Sequence, residues 1–482
     1  RELKMEYFNI ITHIVLIMSL GWYLITNLQW YNYKLERVVL KHHKWQWHIT
    51  YFVAPIALFY LIPQPYYAIY FYLLYMTSFV LWNKKLDRPL VLTSRVKRFL
   101  AILLVVTFIM IALCLSSQSC TNMFIFAPLI LTYAISTIME KLFFISFKHK
   151  AKQRFQSISG LKTVAITASF GKTSIKNYLY HVLKNKYKVY KTPRSVNTIG
   201  GIVLDVNKDL TLDTQIYIAE AGARVQGDIE EIAMFLEPQI CVIGSVGEQH
   251  IEYFKTLDNI IHTKMELLKS PKMEKGFVHE SVPIKDYPNI TKYPNNLHIV
   301  KSNLDGIWFD VEVDGKIEHF HAPILGNFNA INLTAVILVS YYLGMSIDEI
   351  KIALSTLPQV EHRLQKIEAG GKIIIDDSFN GNLEGMLEAV NICSTYSGRK
   401  VIITPGLVES TDEANILLAK AINENFDFVI LTGSLNTHLF SANIDKEKVY
   451  VLKDKSLMEA TLAKTTKIGD LILFANDAPN FI

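Results

Sequence analysis

The stretch VAITASFGKTS, Val164 to Ser174, ends in Gly171-Lys172-Thr173, residue types whose spacing suits the binding of phosphate. Backbone N–H groups exposed at a helix start, added to the helix dipole, hold phosphate oxygens. The Lys172 ammonium reaches the terminal phosphates and the Thr173 hydroxyl coordinates Mg2+. This chemistry needs strand, turn and helix in that order. KTVAIT (Lys162–Thr167) reads as a buried strand. Behind the turn, Ile175, Tyr178, Leu179, Val182 and Leu183 recur at helical spacing and form one apolar face. Ala168 stands where such loops usually carry glycine; its methyl is tolerable if its φ is negative.

Two further strands end on candidate ligands. QIYIAEAGA (Gln215–Ala223) runs into Glu220, and QICVIGSVGEQH (Gln239–His250) runs into a loop that ends at His250. From about Thr163, short β-rich runs alternate with helix-period runs, which predicts α/β layers around a parallel sheet. Ligands of such sheets bind beyond the strand C-termini. A carboxylate and an imidazole there can join the phosphate loop around a metal-nucleotide complex. From about His362 the alternation repeats in KIIIDD, KVIIT, FDFVILTG, KVYVL and DLILFA, predicting a second, Rossmann-like lobe. GIWFDVEVDGKIEHFHAPI (Gly306–Ile324) alternates as a hairpin with Asp-Gly at its turn. No Ser-His-Asp or Cys-His nucleophile arrangement is evident.

The 482 residues are 50% hydrophobic and 12% aromatic, richer in apolar side chains than one soluble domain requires. Apolar runs at Phe8–Leu28, Trp45–Ile62, Tyr66–Trp82, Phe99–Ser117 and Met123–Met139 approach the roughly 20 residues that cross hydrocarbon. The turn at Pro63–Pro65 makes the second and third a helical hairpin. Basic residues concentrate in Lys34–Lys44, Asn83–Arg98 and Lys148–Arg154. The positive-inside rule then gives five spans with the N-terminus outside and everything after Lys148 cytosolic. No small-residue cleavage site follows the first run, which therefore reads as a retained anchor. The net charge of +5 is dispersed among these connections and does not indicate nucleic acid. Cys114, Cys120, Cys241 and Cys393 show no metal spacing and are expected to be reduced or buried thiols.

TASFGKTS, EAGARVQGDIEEIA, GSVGEQHIEYFKTLDNIIHTKMEL, LGNFNAINLTAV, EHRLQ and IIIDDSFNGNLEGM follow in this order. From about Leu161 to the C-terminus the chain thereby resembles the Mur ligases. It is most similar to the members that add D-alanyl-D-alanine to UDP-N-acetylmuramoyl-tripeptide. The apolar runs predict a multi-pass α-helical membrane segment over residues 1–157; the resemblance implies a P-loop central ATP-binding domain over 158–358 and a Rossmann-like C-terminal domain over 359–482.

For activity, the resemblance implies ATP-dependent amide ligation through an acyl phosphate; the apolar spans and the charge of their connections place it at the bacterial cytoplasmic membrane with the ligase domains in the cytoplasm. ATP and Mg2+ are the expected cofactors. Expected partners are the UDP-MurNAc-peptide, D-alanyl-D-alanine, the lipid bilayer and other cell-wall enzymes. Lys172, Lys264 and His250 take catalytic roles. Ser169, Gly171, Lys172, Thr173, Ser174, Asn329, Asn332, Arg363 and Asp377 take the nucleotide; Thr173, Glu220, His250 and Lys264 hold magnesium; Asn380 and Asn382 line the amino-substrate side. Lys264 matches a lysine that CO2 carbamylates in this family, which turns a cation that repels Mg2+ into an oxygen anion.

The chain also departs from the family pattern. Phe328 stands where a histidine often precedes the asparagine, and Leu383 replaces a usual proline. Leu473–Asn480 lacks a Lys-Gly-Ser common near that end. The family's UDP-binding N-terminal domain has no counterpart, and apolar spans occupy its place. Three other readings follow: a Mur-type ligase for another acyl and amino pair, a non-catalytic ATP-binding scaffold, and a transport ATPase. The last lacks an LSGGQ-type signature.

Overall fold

The computed structural model describes residues 2–40, 42, 44–86, 88–117, 126–247, 251–284, 288–378, 382–408, 410–433 and 435–476. The chain forms two compact units, Arg1–Lys148 and His149–Ile482.

The first unit is helical. Among the described residues, three helices are long and apolar enough to cross a membrane: Tyr7–Trp30, Ser94–Ser116 and Ala127–Gln156. The second and third expected spans are helical but interrupted, with π turns at Ile49–Val53 and Tyr70–Tyr75. Pro55 accounts for the first interruption. Its ring clashes with the carbonyl four residues back, at Tyr51, and the wider turn relieves the clash. Tyr67, Phe71 and Tyr75 are buried within this unit. Cys114, near the end of the helix Ser94–Ser117, is disulfide-bonded. The expectation of four thiols therefore fails there; among the described residues, Cys241 and Cys393 are buried free thiols, and Cys120 lies outside them.

The second unit is built on two six-stranded sheets. Strands β1 (Lys162–Thr167), β2 (Val189–Lys191), β3 (Ile216–Glu220), β4 (Ile240–Ile243), β5 (Lys275–His279) and β6 (Ile290–Tyr293) pair in the order β2-β3-β1-β4-β5-β6. All of these pairings are parallel. The chain leaves β1 toward β3 on one side and returns to β4 on the other. Loops that leave β1 and β4 in opposite directions open a crevice at their C-terminal ends. Ile175, Tyr178, Leu179, Val182 and Leu183 are all buried against this sheet, as their spacing predicts.

The hairpin is present as β8 (Gly306–Val313) and β9 (Lys316–Ala322), joined to β7 (Leu297–Asn303). Its turn residues Asp314 and Gly315 both have positive φ, +49° and +75°, which matches the twist of the two strands. The second six-stranded sheet contains β10 (Gln365–Ala369), β11 (Lys372–Asp377), β12 (Lys400–Thr404), β13 (Phe428–Thr432), β14 (Val449–Leu452) and β15 (Leu471–Ala475). Its order is β10-β11-β15-β12-β13-β14, with only the β10–β11 pair antiparallel.

The last turns of the helix Phe126–Ser157 belong to the second unit's core. Ala151 and Phe155 are buried with Ala165, Tyr217 and Cys241, and the Phe155 ring meets Tyr217 edge-on at 5.2 Å. We expect Phe155→Ala to destabilise the second unit by about 3 kcal/mol, the lower end for removing a buried phenyl ring. Denaturant unfolding of a fragment starting at Lys148 measures it, and a change below about 1 kcal/mol would place Phe155 outside that core.

Candidate functional site

At the end of β1 the chain must turn within four residues into the helix Lys172–Leu183. Gly171 makes this possible with φ +84°, and a Cβ there would lie 2.5 Å from Asn332 Oδ1, so no other residue fits. Ala168 is buried with no positive φ, which meets the condition that its sequence set. Its methyl is accommodated opposite Gly244, where a Cβ would approach it to 2.9 Å. The alanine at 168 is thus matched by a glycine on β4's loop. Ser169 anchors the turn to that same loop: its N–H donates to Ser245 O at 2.8 Å and its hydroxyl to Gly247 O at 2.9 Å. Ser174 is buried on the first turn of the helix.

The Lys172 ammonium bends back onto the loop, donating to Ala168 O at 2.7 Å and Ser169 O at 2.9 Å. Desolvation, together with the nearby Lys264 charge, pushes its pKa down to about 7; Glu220 opposes this and Arg363 adds to it. Lys264, buried on the helix Leu257–Met265, is itself pushed down to about 8 by desolvation. A neutral amine is therefore accessible near pH 8, the form that attacks CO2.

Glu220 closes β3 and is 1% exposed. The Lys176 ammonium, fully buried one helical turn beyond Lys172, lies 2.7 Å from its Oε1. Oε1 is held in this ion pair, while Oε2 has no hydrogen-bond partner and retains capacity for a cation. No group of three His, Cys, Asp or Glu that could hold a metal occurs among the described residues. The Glu220 carboxylate and the Thr173 hydroxyl are oxygen donors of the hardness Mg2+ requires. His250 and Asn380 lie outside the described residues.

Asn329 is buried, and its Oδ1 accepts from Tyr178 OH and from Asn332 Nδ2, both at 3.2 Å. Asn332 in turn rests on Gly171. Asn329 and Asn332 thus brace the phosphate loop from the helix Asn327–Tyr342. Arg363 keeps solvent access although the surrounding protein pushes its pKa down through desolvation; Asp377, Glu220 and Tyr178 oppose the shift. Asp377 is buried and accepts from Leu364 N–H at 3.1 Å. Asn382 caps the helix Leu383–Ser394, accepting from Gly385 N–H at 2.8 Å.

Sequence reasoning missed Lys176, which GKTSIK displays one turn after Lys172, and it missed the Oδ1 of Asn329 as the partner of Tyr178. It also missed His362 and Asp376, which pair at 2.7 Å. The His-Arg dipeptide and the doubled aspartate were the available signals.

Residues 166–340 match the Mur ligase middle domain. The UDP-N-acetylmuramoyl-tripeptide--D-alanyl-D-alanine ligase of Bacillus subtilis (strain 168) is 26% identical over 348 residues, 67% of this chain and 74% of that protein. The enzyme of the same name from Borreliella burgdorferi is 27% identical over 298 residues, covering 57% of this chain and 63% of its own length, so the chain spans less than two thirds of that relative. Among solved structures, MurF ligase of Thermotoga maritima in complex with ADP superposes with a TM-score of 0.60 at 24% identity, covering 69% of this chain and 80% of that one. At that identity the likeness is one of fold. The phosphate loop, β3 and most of the helix Asn327–Tyr342 lie inside the matched residues, so the similarity to the Mur ligase middle domain covers the elements that build the site.

Proposed function

We propose that the chain is an ATP-dependent amide ligase of peptidoglycan precursor synthesis, joining D-alanyl-D-alanine to UDP-MurNAc-tripeptide. The observation that carries this reading is the Lys172 phosphate loop at the β1/β4 crevice, with the buried Glu220 carboxylate, one oxygen of it without a partner, at the neighbouring strand end. The names and coverage of the relatives support the choice of substrates. In this reading residues 158–358 are the central ATP-binding domain and 359–482 a Rossmann-like domain that brings the amino substrate, with Asn380 and Asn382 on its side.

A carboxylate is a poor acyl donor, so the substrate carboxylate first attacks the γ-phosphorus of ATP and ADP leaves. Lys172 and Arg363 stabilise the charge on the transferring phosphoryl group. Ser169, Gly171, Thr173 and Ser174 supply loop and helix-start donors, and Asp377 with Asn329 and Asn332 completes the nucleotide side. Mg2+, when held by Thr173, Glu220, His250 and carbamylated Lys264, supplies Lewis-acid neutralisation of phosphate charge. The amine then attacks the acyl carbon, phosphate leaves, and the amine's proton passes to solvent or a nearby base.

The first unit is read as a multi-pass anchor at the bacterial cytoplasmic membrane, with the ligase on the cytoplasmic side. The disulfide at Cys114 supports this topology, because the positive-inside rule puts that end of the helix Ser94–Ser117 outside the reducing cytosol.

An ATP-dependent ligation assay with UDP-MurNAc-tripeptide and D-alanyl-D-alanine tests the reading; no product would overturn it. Lys172→Met lowers the rate by at least about 10²-fold, as loss of preorganised charge does. The same substitution raises the melting temperature at pH 6. Lys172 has a folded pKa of about 7 against an ordinary 10.5. Below pH 7 both states are protonated and the buried charge counts fully against folding; between 7 and 10.5 the folded state loses its proton first and the penalty fades. The stability gain of the variant therefore narrows as pH rises toward 10, and a gain independent of pH would contradict the assignment.

Removing residues 1–147 leaves the KM for the UDP substrate unchanged, provided the fragment is folded. A rise of tenfold, about 1.4 kcal/mol, would assign substrate binding to the first unit.

A further inference from the structure

The segment Glu361–Leu364 carries Arg363 between two residues in the left-handed region, His362 at φ +59° and Leu364 at φ +49°. For side chains other than glycine this backbone costs on the order of 1 kcal/mol or more per residue, and it persists only where neighbouring structure over-determines it. Here both flanks are tied to consecutive residues of β11. The β10–β11 hairpin sets Gln365 opposite Asp376, which brings residues 362–364 beside 376–378.

On one flank, His362 Nδ1 lies 2.7 Å from Asp376 Oδ2, and Asp376 is 0% exposed. The other oxygen of Asp376 accepts from the Ser378 hydroxyl at 2.5 Å and from its N–H at 3.1 Å, so the carboxylate cannot turn away. On the other flank, Leu364 N–H donates to Asp377 Oδ1 at 3.1 Å and the leucine side chain is buried with Ile375 and Met386. Lys366 N–H, bonded to Gln359 Oε1 at 2.5 Å, closes the segment. Arg363 stands between these two locked neighbours, within electrostatic reach of Lys172, Glu220 and Asp377.

We infer that His362 and Asp376 are positioning residues that fix the backbone from which Arg363 reaches the phosphates. The inference rests on the nucleotide site proposed above. Neither side chain touches the nucleotide; both act through the Arg363 guanidinium. Releasing the ring from the carboxylate lets residue 362 leave the left-handed region, which swings the Cα–Cβ direction of Arg363. A long side chain amplifies such a change at its tip, and misplacement on the scale of an ångström is costly for a charge that must meet phosphate.

A double-mutant cycle on the full chain in detergent, read as the Kd for Mg-ATP by calorimetry, tests this. His362→Gly removes the ring but keeps the left-handed φ accessible; His362→Gln keeps a donor for Asp376; Arg363→Ala removes the guanidinium. We expect His362→Gly to weaken Mg-ATP about tenfold, His362→Gln to restore most of the loss, and His362→Gly to have less than a twofold effect once Arg363 is alanine. An equal loss in both Arg363 backgrounds, or no loss from His362→Gly while Arg363→Ala weakens binding, would overturn it. So would unchanged binding in Arg363→Ala. Should His362→Gly not fold, Asp376→Asn, nearly isosteric, takes its place in the cycle with the same expectations. Wild-type chain that binds no Mg-ATP would instead sink the ligase reading itself.

Discussion

The contact between Gly171 and Asn332 is the constraint on which the site depends. A left-handed turn at Gly171 takes the chain from β1 into the helix that starts at Lys172, and it brings the backbone against the Asn332 amide. Asn332 is in turn held by Asn329, and Asn329 by the Tyr178 hydroxyl on the same helix that Gly171 starts. The circuit is closed: the phosphate loop, the helix behind it and the helix Asn327–Tyr342 fix one another through buried polar groups. Each of these would be costly to leave unpaired. A substitution at any of the four therefore acts on the loop geometry before it acts on any ligand.

Around this frame the electrostatics favour a polyanion. Lys264 and Arg363 both bear on Lys172, while Lys176 neutralises Glu220 from within the protein. Burial disfavours the charged form of Lys172, whose ammonium is held by the carbonyls of Ala168 and Ser169. Phosphate oxygens would relieve that cost, so part of the binding free energy of a nucleotide is stored in the protein as lysines held in an unfavourable setting. The structure thus trades stability for affinity at a functional site.

The first unit follows the opposite logic. Its hydroxyls turn inward onto carbonyls one helical turn back, as Thr26 does to Trp22 O and Thr107 to Leu103 O, each at 2.7 Å. Polar side chains pair with each other, Tyr23 OH with His48 Nδ1 at 2.7 Å and His42 Nε2 with Asn27 Oδ1 at 2.8 Å. Val105, Phe108, Ile109 and Leu113 meanwhile face outward. These buried polar groups are satisfied internally beneath an apolar exterior, with Trp82 Nε1 and the Thr132 hydroxyl as exceptions.

The sequence by itself determined the elements whose physics is local. The period of Ile175 to Leu183 specified a helix and its buried face, and unbroken apolar runs specified β1, β3 and β4. Asp314-Gly315 specified a hairpin, and the GKT spelling specified a tight strand-to-helix turn. These follow from side-chain spacing and from the φ each residue tolerates. What lay outside reach depended on residues far apart in the chain. That Ala168 is tolerated was decided by Gly244 across the sheet, and that Asn332 backs Gly171 by the packing of a helix some 150 residues later. The pairing of His362 with Asp376 required the β10–β11 register. The five apolar runs were visible, but Pro55 and its neighbours broke the second into a π turn that no hydropathy sum records. Composition and periodicity see a residue and its neighbours along the chain; satisfaction of a buried polar atom is a property of whatever tertiary packing brings to it.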